Sequence, residues 1–139
     1  MLQDRSFAPV IERLRSAGLR PTRQRLALAR LLFGQGDRHL SAEELHAEAV
    51  THKVPVSLAT VYNTLNQFTE AGLLREVVVE HGRSYFDTNT SDHHHFFHEG
   101  DGLLRDIPGE SVVLKTLPQA PEGTEVARVD VVIRIRNRQ

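Results

Sequence analysis

Two serine-capped helices separated by a short break, with a β-hairpin after them, constrain this chain more than any other feature. Ser41-Ala42-Glu43-Glu44 has the capping-box form, in which Ser41 caps a helix and Glu44 reaches back to it. That helix buries Leu45, Ala49 and Val50, and Lys53-Val54-Pro55-Val56 breaks it. Ser57 caps the next helix, Leu58 to Phe68, whose apolar positions are 58, 61, 65 and 68. Gly72 ends it, and Leu74 to Glu80 and Arg83 to Thr88 read as a hairpin around His81-Gly82.

Two further helices precede this pair. Phe7, Val10, Ile11, Leu14 and Ala17 recur at helical spacing, and Gly18 stops them. Pro21 suits the start of a second helix, with Leu26, Leu28, Ala29, Leu31, Leu32 and Phe33 as its apolar residues. After the hairpin, Phe96-Phe97 and Leu103-Leu104 read as strands, and Ser111 to Leu117 as one or two helical turns. Val126 to Arg136 alternates as a half-buried strand. The expected fold is α+β. A winged helix-turn-helix domain spans 1–88, a linker 89–92, and a small α/β dimerisation domain 93–139. The second part is too small to bury its apolar face alone, so a homodimer is expected through it.

The helix after Ser57 is the expected recognition helix, and Thr60, Asn63, Thr64 and Gln67 form its polar face, with Tyr62 and Asn66 at the edge. Such side chains meet base edges and phosphates in a major groove, whereas a merely solvated helix more often carries Lys and Glu. The Tyr62 ring suits a thymine methyl, or its hydroxyl a phosphate. The net charge of -1 hides an asymmetry: residues 1–38 hold eight Arg against three acids. Arg20, Arg23 and Arg25 surround the start of the second helix, where they can reach phosphates of double-stranded DNA.

Four of the eight histidines fall in Asp92-His93-His94-His95-Phe96-Phe97-His98-Glu99-Gly100-Asp101. Imidazole is a borderline ligand for Zn2+, Fe2+, Ni2+, Cu2+ and haem iron. With no cysteine there is no disulfide, thiolate zinc site or thiol switch. No apolar run is long enough for a bilayer and no signal-peptide pattern opens the chain, so no membrane partner and a cytoplasmic location are expected. No nucleophile or general-base motif accompanies the histidines, which argues against an enzyme.

Three segments carry a resemblance: Ala17-Gly18-Leu19-Arg20-Pro21-Thr22-Arg23-Gln24-Arg25, His39-Leu40-Ser41-Ala42-Glu43-Glu44-Leu45 and Ala59-Thr60-Val61-Tyr62-Asn63-Thr64-Leu65. Together with the histidine cluster, they resemble the ferric uptake regulator family across nearly the whole chain. Tyr62 to Phe68 and Asp92 to Phe97 look nearest to its iron response regulator branch. The resemblance implies a dimeric transcription regulator of iron and haem homeostasis genes, responsive to metal and haem. The alternative it allows is a repressor activated by Fe2+, Mn2+ or Zn2+ and indifferent to haem.

The resemblance also assigns sites. An interdomain divalent-metal site matches His39, Asp87, His95 and Asp106. The family's cysteine zinc site has no counterpart, because His98-Glu99-Gly100-Asp101 stands there. A third family site lacks partners, because Val113 and Val129 stand where an acid and a histidine are usual. His93, His94 and His98 are then the haem candidates, with Phe96 and Phe97 as the apolar face. The Cys-Pro haem motif that some members of the branch carry is absent.

Overall fold

The computed structural model describes the backbone of residues 2–80 and 82–139, and side chains from Phe7 onward except His81. The hairpin turn expected at His81 therefore lies outside the described residues. The chain divides into two compact units, 1–90 and 91–139.

The first unit runs α1 (Leu2–Ser16), α2 (Arg23–Phe33), β1 (His39–Leu40), α3 (Ala42–Thr51), α4 (Leu58–Glu70), β2 (Arg75–Glu80) and β3 (Arg83–Asp87). Its sheet has the order β1-β3-β2, antiparallel throughout. The capping box at α3 is complete, with Glu44 N–H to Ser41 Oγ at 3.1 Å and Ser41 N–H to Glu44 Oε1 at 2.9 Å. Ser57 caps α4 by accepting from the Thr60 N–H at 3.1 Å. The cap of α2 is Thr22, which accepts from Arg25 N–H, so Pro21 lies just before the cap and not within the first turn.

Helix ends are as well specified as starts. Gly72, at φ +82°, follows α4, and the Leu73 N–H reaches back to the Phe68 carbonyl at 2.9 Å. That closure satisfies a carbonyl that the helix itself leaves orphaned. The same closure ends α3, where Val54 N–H meets Ala49 O at 2.8 Å and Lys53 N–H meets Val50 O at 3.1 Å. Here the left-handed residue is Lys53, at φ 59°. The short turn between α3 and α4 is thus held by backbone bonds at the end of α3 and by the Ser57 cap at the start of α4.

The apolar faces of the helices meet in one core: Leu14, Leu28, Leu32, Leu45, Val61, Leu65, Phe68, Leu74 and Phe86 are all buried. Two expectations about this core differ from the structure. Val50 is exposed, and the buried face of α4 is Val61, Thr64, Leu65 and Phe68, with Leu58 exposed.

The second unit contains β4 (His93–His98), β5 (Leu104–Pro108), a 3-10 turn at Gly109–Ser111 and β6 (Val132–Ile135). β4 lies central, antiparallel to β5 and parallel to β6. No helix forms over 112–117, and the strand expected over 126–136 is only four residues long. Both shortfalls have one physical reason. Val113, Leu114, Leu117 and Val126 are exposed, so nothing in this unit repays ordering that stretch into a regular element. No helix of the described residues is long and apolar enough to cross a membrane.

Candidate DNA-binding face and metal-ligating pairs

Helical spacing turns Ala59, Tyr62, Asn63, Asn66, Gln67 and Glu70 outward from α4 as one stripe. Thr64 belongs to the opposite side. It is 5% exposed, so the expectation that it contacts DNA is corrected. Thr60 is half-buried, and its Oγ1 accepts from Ser57 Oγ at 3.0 Å within the cap. Asn66, passed over from sequence as an edge residue, stands on the outward stripe. Its signal was the simple 3.6-residue period through 59, 63, 66 and 70.

Both flanks of the stripe are tied to other helices. Tyr62 OH donates to the Glu43 carboxylate of α3 at 3.0 Å and 3.1 Å. On the other flank the Arg25 guanidinium, from α2, donates through Nε at 3.3 Å and Nη2 at 3.0 Å to Gln67 Oε1. Its remaining Nη1 donates to the Arg20 carbonyl at 2.9 Å. Arg25 thus spends all three nitrogens inside the protein, which disfavours the phosphate contact expected for it. Arg20 and Arg23 are exposed and remain available to a polyanion.

The Glu43 contact changes how Tyr62 titrates. The carboxylate accepts the phenolic hydrogen, slight burial adds to this, and the carboxylate's charge opposes phenolate; together they raise the Tyr62 pKa. A raised pKa favours the neutral phenol in the folded state. That contribution is present below the unfolded value of about 10 and lost as pH rises through the higher folded value. Ultraviolet titration of the two tyrosines, Tyr62 and Tyr85, should therefore show one ionising above the ordinary phenol range. Glu43→Gln should bring that titration down; an unchanged curve would contradict the contact.

Potential metal ligands sit in pairs across strands. In the first unit His39 on β1 faces Asp87 on β3, and Asp87 faces Arg75 on β2. Asp87 is 1% exposed and accepts the Asn89 N–H at 2.9 Å. β1 is only two residues long, and its neighbour Arg38 fixes it. Arg38 N–H donates to Thr88 Oγ1 at 2.9 Å, and the Thr88 N–H returns to the Arg38 carbonyl at 2.9 Å. The Arg38 guanidinium also pairs with Glu48 of α3.

In the second unit β4 alternates, with His93, His95 and Phe97 on the buried side and His94, Phe96 and His98 on the half-buried side. His95 faces Asp106 on β5, with Nε2 to Oδ1 at 3.5 Å. His93 Nε2 stands 3.7 Å from that oxygen, its ring 4.6 Å from the His95 ring. The His93 Nδ1 lies 2.6 Å from the Ser91 carbonyl, a geometry in which Nδ1–H donates and Nε2 keeps its lone pair. His93, His95 and Asp106 therefore form a converging set of donors, and sequence reasoning left His93 out of it. The period of two along β4 is the signal that pairs 93 with 95.

The three haem candidates do not share a face, because His93 is on the other side of the strand from His94 and His98. His94 Nδ1 accepts the Val131 N–H at 3.1 Å. His98 Nε2 lies 2.8 Å from Asn137 Oδ1, and its Nδ1 accepts the Asp101 N–H at 3.2 Å. Phe96 and Phe97 likewise point to opposite sides, so they cannot form one apolar wall together.

Residues 16–133 match the model of the ferric uptake regulator family. The chain is 40% identical over 81 residues to the ferric uptake regulation protein of Vibrio cholerae, covering 58% of this chain and 54% of that protein. It is 36% identical over 105 residues to the peroxide-responsive repressor PerR of Staphylococcus epidermidis, covering 75% and 69%. The chain thus spans about half the length of the first of these relatives and over two thirds of the second. The manganese-containing ferric uptake regulator of Pseudomonas aeruginosa superposes with TM-score 0.68 at 26% identity, over 92% of this chain and 97% of that one. The crystal structure of the Vibrio cholerae regulator shares the fold at TM-score 0.72 and 23% identity, over 92% and 99%. By its family match and its repressor relative alike, the chain belongs to the ferric uptake regulator family.

Proposed function

We propose that this chain is a metal-responsive transcription regulator that binds operator DNA as a homodimer, with a divalent cation as its effector. The observation that carries the reading is the buried His95 and His93 turned toward the exposed Asp106 carboxylate, a nitrogen and oxygen donor set that suits Zn2+, Fe2+ or Mn2+. His39 and Asp87 supply the other half of the ligand set. A cation held by His39, Asp87, His95 and Asp106 fixes one arrangement of DNA-binding unit against dimer unit. Such a dimer reads a two-fold operator only when its recognition helices match the groove repeat. The metal then acts as an energy difference between arrangements.

The second copy is supported by composition. Among the described residues the buried hydrophobics of the 91–139 unit are Phe97, Leu104 and Ile107, while Val113, Leu114, Leu117 and Val126 stay exposed. A core that small is completed by association.

The haem-responsive reading of the iron response regulator branch rests on His94, His98 and Phe96, the half-buried side of β4. The split of the histidine run across the strand favours the plain metal-activated reading. One experiment separates them. Protein stripped with a chelator is reloaded with Fe2+, Mn2+ or Zn2+, and binding to selected duplexes is followed by fluorescence anisotropy at fixed salt, with and without haem. Specific binding in the metal-loaded state alone, unaffected by haem, is the expected result. Release by haem establishes the haem-responsive form, and no sequence preference in any state sinks both.

A further inference from the structure

Resting on that reading, we infer that Asn63 and Asn66 carry the base readout of α4, and that each selects an adenine. A side chain reads a base edge only with hydrogen-bonding groups that the protein has not already engaged. The outward stripe offers Tyr62, Asn63, Asn66 and Gln67 as polar groups of the helix body. The hydroxyl of Tyr62 is committed to Glu43, and the carbonyl oxygen of Gln67 to the Arg25 fork. The Thr60 hydroxyl accepts within the Ser57 cap. Asn63 and Asn66 make no side-chain hydrogen bond among the described residues and are exposed.

A carboxamide presents one acceptor and two donors side by side. That pattern pairs in bidentate fashion with adenine, whose major-groove edge offers N7 as acceptor and the N6 amine as donor. Guanine offers two acceptors there and leaves the amide oxygen unmatched. Positions i and i+3 lie one turn apart on the same helical face, so the two amides meet neighbouring steps of one groove. Asn66 also lines a cleft of about 520 Å³ with Tyr62, Glu76, Gly82, Arg83 and Ser84, between α4 and the hairpin. Tyr62 and Gln67 act differently: anchored by α3 and α2, they hold the flanks of the helix and set its seating. Arg25 is a positioning residue, acting through Gln67.

The test uses the full metal-loaded chain with Mn2+ as the cation. Duplexes are selected from a randomised library, and base preferences are read position by position for wild type, Asn63→Ala and Asn66→Ala. The melting temperature and metal content of each variant are recorded alongside. Each variant should lose preference for A·T at a different position of each half-site. The penalty for replacing that pair should shrink by about ten- to a hundred-fold, the size of one bidentate base contact. Affinity for unrelated DNA and its salt dependence should not change. The inference is overturned if both variants keep every preference, if the lost preference is for G·C, or if affinity falls uniformly with a shallower salt slope, as for a phosphate contact. A wild type that selects no sequence overturns the regulator reading as well, so the two failures are distinguishable.

Discussion

His95→Ala is expected to lower divalent-metal affinity by at least about a hundred-fold, since altering even the groups that merely support a ligand costs ten- to a hundred-fold. The His95 imidazole is 2% exposed and faces Asp106 across β4 and β5, and alanine leaves no ligand atom at that position. Specific DNA binding should fall with metal occupancy. Asp106→Asn keeps the shape of the carboxylate without its charge and should give the same direction of change. His94→Ala, one residue away on the other side of the strand, should leave metal affinity near wild type.

The informative comparison is with His39→Ala, in the other unit. If one cation takes ligands from both units, His39→Ala and His95→Ala weaken metal binding alike and both abolish metal-dependent operator binding. If His39→Ala leaves metal affinity intact, the cation is held by His93, His95 and Asp106 alone, and the coupling of metal to DNA binding needs another route. Competition titration against a chromophoric chelator measures the affinity. Thermal unfolding of the metal-free variants shows whether His95→Ala has merely damaged the sheet. Unchanged affinity in every variant overturns the assignment.

The helix-turn-helix was legible because its signals are local. A serine cap, a glutamate three residues on and a glycine after the last turn each act within one helical turn, and sequence displays them directly. The face of α4 was legible only in part. Thr64 was placed outward because it is polar, but the period that buries Val61, Leu65 and Phe68 carries position 64 inward with them. Geometry overrode polarity. The 91–139 unit was harder to read, because β6 pairs in parallel with β4 across a long connection and no local rule sets that register. The metal-ligating pairs show the same division. His93 beside His95 follows from the period of a strand. His39 opposite Asp87 depends on a pairing between β1 and β3, 48 residues apart, which only the family resemblance supplied.

Phe68→Ala is expected to destabilise the 1–90 unit by about 3–5 kcal/mol, the usual loss for truncating a fully buried phenylalanine. Phe68 is 0% exposed on the buried face of α4, and its ring lies 6.3 Å from that of Phe33 on α2. Phe33 in turn carries the Arg13 guanidinium of α1 at 4.5 Å. Truncation therefore removes a contact between α4 and α2, at the same Phe33 ring on which Arg13 of α1 rests. Domains of this size hold only about 5–15 kcal/mol in total, so the loss takes a large share of what keeps the unit folded. Phe68→Leu keeps most of the volume and should cost a good deal less, as shape-changing apolar swaps do. Chemical denaturation followed by circular dichroism measures both. DNA binding separates two ways of failing. Phe68 sits opposite Asn63 on the helix and touches no groove, so Phe68→Leu should bind operator normally well below its melting point. Asn63→Ala should melt like wild type and yet lose a base preference. If Phe68→Ala costs less than about 1 kcal/mol, α4 is not held by this core, and the fixed seating that base readout requires has to come from the Arg25–Gln67 and Glu43–Tyr62 contacts alone.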